Sequence, residues 1–355
     1  MKRLIICCDG TWSSADQRQH NGPSPTNVVH LAFRTAKHDG GTQQITWYNQ
    51  GVGTGGNVLD RATGGAFGSG LEDNLHDAYR FLIANYEMCD EIFLCGFSRG
   101  AFTVRSLAGM IRKCGILRRE AVASYHETLA LYRAAIPHPT DAESDRFRRQ
   151  HSIAGNHTIP IRFIGVWDTV GALGVPLCGL RELTRHDHLF HDTALSGSVQ
   201  GAYQALAIDE RRAPFRPTLW HYQPKEGQTV EQIWFAGSHG DVGGGYAEHA
   251  LSDGPLQWLM ERARDCGLAF DEAACAAYPA RPDPVAQIHD SRRGIWGLAP
   301  AEWRGIGLSN ALTGCRVTSE PDPTQRLHES VLRRWDAVPG YRPQNVVEYL
   351  QRTRA

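Results

Sequence analysis

The 355-residue sequence has no surplus of either charge: 37 Lys and Arg stand against 38 Asp and Glu, a formal net charge of −1. That balance supplies no global attraction to nucleic acid or to an anionic membrane. The one dense basic stretch, Arg146-Phe147-Arg148-Arg149, reads as a solvated helix face. No window approaches the ~18 consecutive apolar residues of a membrane span. Met1-Lys2-Arg3 runs straight into a short strand-like segment ending at Asp9, too brief and too soon polar for a signal peptide. The expectation is a soluble protein, cytoplasmic at synthesis, exported if at all without a cleaved signal. Cysteine never occurs as a CxxC pair. The nine residues fall singly or as Cys7-Cys8, which argues against a disulfide framework and against a structural zinc site. Cys7, Cys8 and Cys95 lie in apolar runs, where the expected role is a small buried hydrophobe. The glycine-rich stretch Gly51–Gly70 contains no Gly-Lys-Ser/Thr, so a nucleotide P-loop is not expected. It reads as a surface loop or as a loop over a site. Internal repeats and low-complexity tracts are also absent.

Five short apolar runs lack alternation and are bounded by Gly, Asp or Asn, as strands buried on both faces are. They are Leu4–Cys8, Ile45–Tyr48, Glu91–Phe97, Ile161–Trp167 and Gln232–Gly237. Helices are expected between them at Asn27–Thr35, Glu72–Asn85, Ala101–Cys114, Ser196–Ile208 and Leu251–Cys266. Such alternation predicts an α/β fold with a mostly parallel, doubly wound sheet and ligands at the carboxyl ends of its strands. Arg118–His157 is polar and helical in pattern, a helical insertion that reads as a cap over the site or as decoration. After Gly267 periodicity is weak and only a helix over Glu329–Trp335 is expected. Residues 1–355 are read as one domain, with 267–355 an irregular and helical extension that completes the site.

The strongest motif is Gly96-Phe97-Ser98-Arg99-Gly100, a G-x-S-x-G string with a buried strand running into it and a helix leaving it. A sharp turn there lifts the Ser98 hydroxyl above the sheet. It also aims the Arg99 N–H, at a helix N-terminus, toward a reacting carbonyl oxygen. A second oxyanion donor is expected from Gly10, which lets the backbone approach closely. Cys8-Asp9-Gly10-Thr11 also matches part of the D-x-D-G-T string of aspartate-nucleophile phosphatases. Cys7 occupies the nucleophile's position, so that chemistry is excluded.

Two acids follow buried strands and are placed to orient a histidine: Asp168 after Ile161–Trp167, and Asp241 in His239-Gly240-Asp241-Val242-Gly243-Gly244-Gly245-Tyr246. Asp168 is favoured on strand placement. The chain order Ser…Asp…His calls for a downstream histidine. His289, after the strand-like Pro284-Val285-Ala286-Gln287, is favoured over His328, which opens a helix. His239 is assigned a supporting role in its glycine-rich turn. A metal set of Asp9, His239 and Asp241 is the rival chemistry. In Asp209-Glu210-Arg211-Arg212, read as the end of the Ser196 helix, the expected arrangement is an internal ion pair, with an anion site the alternative.

Taken in order, Cys8-Asp9-Gly10-Thr11, Thr26-Asn27-Val28-Val29, Gly51-Val52-Gly53-Thr54, Gly96-Phe97-Ser98-Arg99-Gly100-Ala101, Gly165-Val166-Trp167-Asp168-Thr169-Val170-Gly171, Asp209-Glu210-Arg211-Arg212 and the His239–Tyr246 string resemble one family. It is a set of α/β-hydrolase-like domains that includes the type VI secretion phospholipase effectors of the Tle class with a G-F-S-R-G-A motif. The resemblance spans roughly Lys2 to Cys266. It implies Ser-Asp-His hydrolysis of lipid or phospholipid esters without a cofactor, carried by Ser98, Asp168 and a C-terminal histidine. It also implies peripheral membrane contact and a secretion-system or immunity partner. The sequence departs from the pattern at Gly240, where the family often has serine, and in having no large C-terminal membrane-docking region. The rival function classes are a metal-dependent phosphoesterase and a non-catalytic binding module on the same fold.

Overall fold

In the computed structural model, residues 1–11, 13–19, 22–51, 65–134, 138, 140–171, 195–221, 223, 225–293, 301–313 and 316–354 are described. The chain opens with β1 (Lys2–Cys8), a small ribbon of β2 (Arg18–Gln19) and β3 (Gly22–Pro23), α1 (Asn27–Arg34), β4 (His38–Asp39) and β5 (Thr42–Asn49). There follow α2 (Gly65–Asn85), β6 (Glu91–Phe97), α3 (Ser98–Cys114), α4 (Tyr125–Arg133), α5 (Ala142–His151), β7 (Ile161–Trp167), β8 (Val199–Ala207) and β9 (Thr229–Phe235). Then come α6 (His239–Gly243), α7 (Asp253–Asp265), α8 (Glu272–Ala277), the hairpin β10 (Leu308–Thr313) and β11 (Arg316–Pro321), β12 (Gln325–Leu327), α9 (Glu329–Ala337) and α10 (Gln344–Arg354).

Eight strands form one sheet in the order β12-β9-β8-β7-β6-β1-β5-β4, parallel throughout except for the edge pair β4–β5. The continuous apolar runs follow from coverage of both faces. In β1, Leu4, Ile6 and Cys8 pack with α2 and α3 on one side, while Ile5 and Cys7 pack with α1 and α7 on the other. The fold is thus α/β, with a mostly parallel sheet between helical layers, consistent with the α/β-hydrolase class.

One expected helix is a strand. Ser196–Ile208 contains Ala, Gln and Leu, good helix formers, yet Val199–Ala207 is β8, paired on both sides with β7 and β9 and buried except at Gln200. A short apolar run cannot be told from a buried helix by periodicity, and here sheet pairing on both edges overrides local preference. Pro284–Gln287 is not a strand either. The Asp283 carboxylate and carbonyl take the amides of Val285 and Ala286, which closes a turn. Beyond Gly267 there is more structure than expected, and β12 extends the sheet from β9.

The contacts of the Arg118–His157 insertion lie far from the start of α3. Tyr132 sits by Gly109, Lys113 donates to the Ala134 carbonyl, and Arg148 donates to the carbonyls of Arg112 and Lys113. These are the last two turns of α3, at the end opposite Ser98. In the glycine-rich stretch expected as a loop, residues 52–64 lie outside the described residues and Gly65–Gly70 opens α2. Among the described residues no helix is long and apolar enough to cross a membrane.

Candidate active site

Ser98 is the first residue of α3, and its φ of 55° is a left-handed conformation rare for a residue with a side chain. The flanking glycines make the turn possible. A Cβ on Gly96 would lie 2.7 Å from the Ala101 backbone, and one on Gly100 would lie 2.1 Å from the Cys8 carbonyl oxygen. Both positions therefore exclude any side chain: Gly96 because of the helix that follows it, and Gly100 because β1 passes against it. Gly10 abuts the same point, because its Cβ would sit 3.4 Å from that of Ser98.

Asp168 ends β7 with φ 40° and is fully buried. Its carboxylate receives the His239 Nδ1–H at 2.5 Å and both Arg304 Nη groups at 2.7 and 3.0 Å; the Ala207 amide adds a bond at 3.1 Å. Burial alone would raise its pKa. The Arg304 charge and the His239 bond outweigh that and hold the carboxyl well below the usual carboxylate range. His239 opens α6 just after β9. Its ring packs on Phe97, with centroids 4.6 Å apart, and edge-on to Phe215 at 5.1 Å. Phe97 directly precedes Ser98, so the ends of β7 and β9 pair acid with imidazole, and that ring lies against the residue before the serine at the end of β6. The His239 amide donates to Glu210, which Arg212 grips through its backbone amide, Nε and Nη2. Burial opposes ionisation of Glu210, but Arg212 and Arg304 bring its pKa down to about 2. The Asp209–Arg212 string does hold an internal ion pair, although it follows a strand rather than a helix.

His289, the histidine favoured from sequence as base, is placed elsewhere. Its Nδ1 meets Asp241 Oδ1 at 2.6 Å, its ring stacks on Tyr246 at 3.9 Å, and Nε2 lies 3.7 Å from Glu248. Asp241 also closes a capping box with Ser238 at the start of α6. It therefore anchors the helix that carries His239 and does not orient that ring. His328 caps α9: its Nδ1 accepts the Ser330 amide, and its ring stacks on Phe235 at 4.5 Å. Gly10 also differs from expectation, since its N–H donates to Asp9 Oδ1 at 2.7 Å. What Gly10 contributes is closeness to Ser98. Next to it, the Thr11 hydroxyl is buried with no hydrogen-bond partner among the described residues. Arg304 was not found from sequence, because an arginine after a weakly patterned segment carries no local signal.

Asp9 lies at the end of β1 and accepts from the Thr26 and Tyr48 hydroxyls, both at 2.8 Å, as well as from Gly10. Burial pushes its pKa up to about 6 against those three bonds. Because the folded value exceeds the unfolded one, the native state holds a proton that the unfolded chain releases between about pH 4 and pH 6. Stability contributed by Asp9 is therefore present below that window and lost as pH rises through it, by up to about 3 kcal/mol. In denaturant titrations, wild type should lose about 1–3 kcal/mol relative to Asp9→Asn between about pH 4 and pH 7.5. A constant difference between the two proteins would show that Asp9 does not titrate there.

The metal set considered from sequence is not assembled. Asp9 serves Thr26, Tyr48 and Gly10, His239 serves Asp168, and Asp241 serves Ser238 and His289. Among the described residues no group of three potential ligands comes together.

Comparison with known proteins adds the family. Residues 2–262 match the family described as T6SS, phospholipase effector Tle1-like, catalytic domain. An uncharacterized Saccharomyces cerevisiae protein, YEL023C, is 29% identical over 248 residues, covering 63% of this chain and 33% of its own. Two solved structures are similar at 17% identity. One is an uncharacterized protein from Pseudomonas aeruginosa, with TM-score 0.46, covering 76% of this chain and 46% of that one. The other is a Tle1 effector bound to the VgrG spike of a type 6 secretion system, with TM-score 0.42, covering 69% and 51%. The chain thus spans about a third of the yeast protein and about half of each solved chain.

Proposed function

The chain belongs to the family of Tle1-like phospholipase effector catalytic domains, and on that premise we propose that it hydrolyses carboxylic esters of lipids through Ser98, His239 and Asp168. One observation carries the reading: His239 Nδ1 is held by a buried, ionised Asp168 while the ring packs against the residue preceding a strained serine. With Nδ1–H committed to Asp168, Nε2 is the nitrogen free to accept the Ser98 proton. Ser98 Oγ then attacks the ester carbonyl, and the imidazolium returns the proton to the leaving alcohol. Water, activated by the same nitrogen, releases the acyl group from Ser98. The Arg99 N–H at the start of α3 is assigned to the developing oxyanion, and the unpartnered Thr11 hydroxyl, next to the Gly10 that abuts Ser98, is assigned as the second donor. Arg304 keeps Asp168 charged, so the imidazolium formed during attack is stabilised. No step calls for a cofactor. Family membership extends the proposal to a lipid surface as the place of action and to a type VI secretion component as partner.

A fluorophosphonate probe tests the reading directly. Native protein should label on Ser98, and labelling should survive EDTA and vanish on heat denaturation. Hydrolysis of p-nitrophenyl esters and release of fatty acid from phospholipid vesicles should be lost in step with labelling. A folded protein that neither labels nor hydrolyses would be a binding module. Activity abolished by EDTA would point to metal chemistry instead.

A further inference from the structure

A cleft of about 340 Å³ opens beside the candidate site, and neither Ser98 nor His239 lines it. Its walls come from the turn after β8, from residues 288–292, from Trp303 and from residues 340–343 before α10. The turn after β8 leaves the same carboxyl edge of the sheet that carries Ser98, Asp168 and His239. Two links join the cleft to that site. The Ser291 hydroxyl donates to Glu210, which also receives the His239 amide, and His289 holds Asp241 on α6.

Three arginines line this cleft: Arg211, Arg292 and Arg342. Two guanidiniums nearer the site have carboxylates: Arg304 has Asp168 and Arg212 has Glu210. Arg211 instead lies over the Trp303 ring, 5.0 Å from its centroid, and among the described residues it has no carboxylate in ion-pair reach. Arg342 lies over Trp335 at 4.0 Å and gives Nη1 to the carbonyls of Trp335, Val338 and Tyr341, again with no carboxylate. The cleft's two acids do not fill the gap. Asp209 is taken by the Gly237 amide and the Tyr341 hydroxyl, and burial pushes its carboxyl up; Asp290 accepts the Arg292 amide.

We propose that this cleft binds a phosphate group, with Arg211 and Arg342 as its principal donors. A guanidinium held flat by an aromatic ring presents a pre-set fork that matches phosphate oxygens two at a time. The volume suits a phosphate together with a small polyol. Placed next to the ester site, the phosphate is either that of a lipid headgroup or a free anion. The lipid case rests on the ester-hydrolase reading; phosphate binding itself does not.

The test uses the full chain and Arg211→Gln, which removes the charge at a residue whose contact is the Trp303 face, with Arg211→Lys as the conservative control. Thermal unfolding is followed with inorganic phosphate, with sn-glycerol 3-phosphate and with chloride at matched ionic strength. Phosphate and glycerol phosphate should each raise the wild-type Tm by several degrees over chloride. The shift should fall at least fivefold in Arg211→Gln and be partly kept in Arg211→Lys. Equal shifts in wild type and Arg211→Gln, or none in wild type, overturn the site. In the second arm, kcat/KM is measured on phosphatidylglycerol vesicles and on p-nitrophenyl butyrate, which has no phosphate. A ratio that falls at least tenfold in Arg211→Gln identifies a lipid headgroup. An unchanged ratio with the Tm shift lost identifies a free phosphate. If wild type hydrolyses neither ester, the function proposed above fails while the Tm arm still decides the cleft.

Discussion

Ser98→Ala should remove hydrolysis, lowering kcat on the order of 10⁴-fold or more, while the melting temperature moves little. The first half follows from chemistry. With the hydroxyl gone there is no acyl-enzyme, and only the oxyanion donors and binding contribute to rate. The second half follows from the elbow. The turn is made by Gly96, whose missing side chain lets the end of β6 lie against the Ala101 backbone of α3, and by Gly100, whose missing side chain lets α3 approach Cys8 of β1; the Ser98 hydroxyl takes no part in either contact. Alanine adopts a φ near 55° no worse than serine does, so the strain is the same in both proteins. The measurements are initial rates on p-nitrophenyl butyrate and a thermal melt of the same preparations. Retention of a tenth of the wild-type rate would remove Ser98 from the mechanism.

His239→Ala should be as severe as Ser98→Ala, and His289→Ala should not be. Triad members act as a unit, so loss of the base costs about as much as loss of the nucleophile. His239 also makes one of the bonds to fully buried Asp168, but Arg304 and the Ala207 amide remain, so the variant should fold. His289 touches Asp241, whose other partners, the Ser238 hydroxyl and amide, hold α6 without it. Removing its ring should lower kcat by about tenfold or less and cost about 1–3 kcal/mol of stability through the lost bond and the Tyr246 stack. Both variants are to be assayed on one soluble ester, with a denaturant titration beside each. A dead His289→Ala together with a near-normal His239→Ala would exchange their roles.

Much of this protein was determined by local sequence. Strands β1, β6 and β7 are apolar runs that only burial on both faces explains, and the sheet covers both faces of each. The elbow is equally local. Gly96, Ser98 and Gly100 lie within five residues, and the steric demand on Gly96 comes from Ala101 close by, although that on Gly100 comes from Cys8 at the end of β1. Asp168 and Asp241 were legible as carboxylates that follow buried strands, although Asp241 lies within α6. Tertiary structure alone decided which histidine meets which carboxylate. His239 and His289 both satisfy the order Ser…Asp…His, and sixteen histidines offer no local signal to separate them. The pairing of Asp168 with His239 spans 71 residues and arises because β8 lies between β7 and β9. Yet β8 itself reads as a helix until its two neighbours pair with it. Arg304 reaches Asp168 across 136 residues, from a part of the chain with weak periodicity. Side-chain spacing along one strand or helix is set by backbone geometry, so it is written in the sequence. Contacts between strand ends depend on strand order and on long side chains crossing between loops, and these exist only once the sheet has closed around its core.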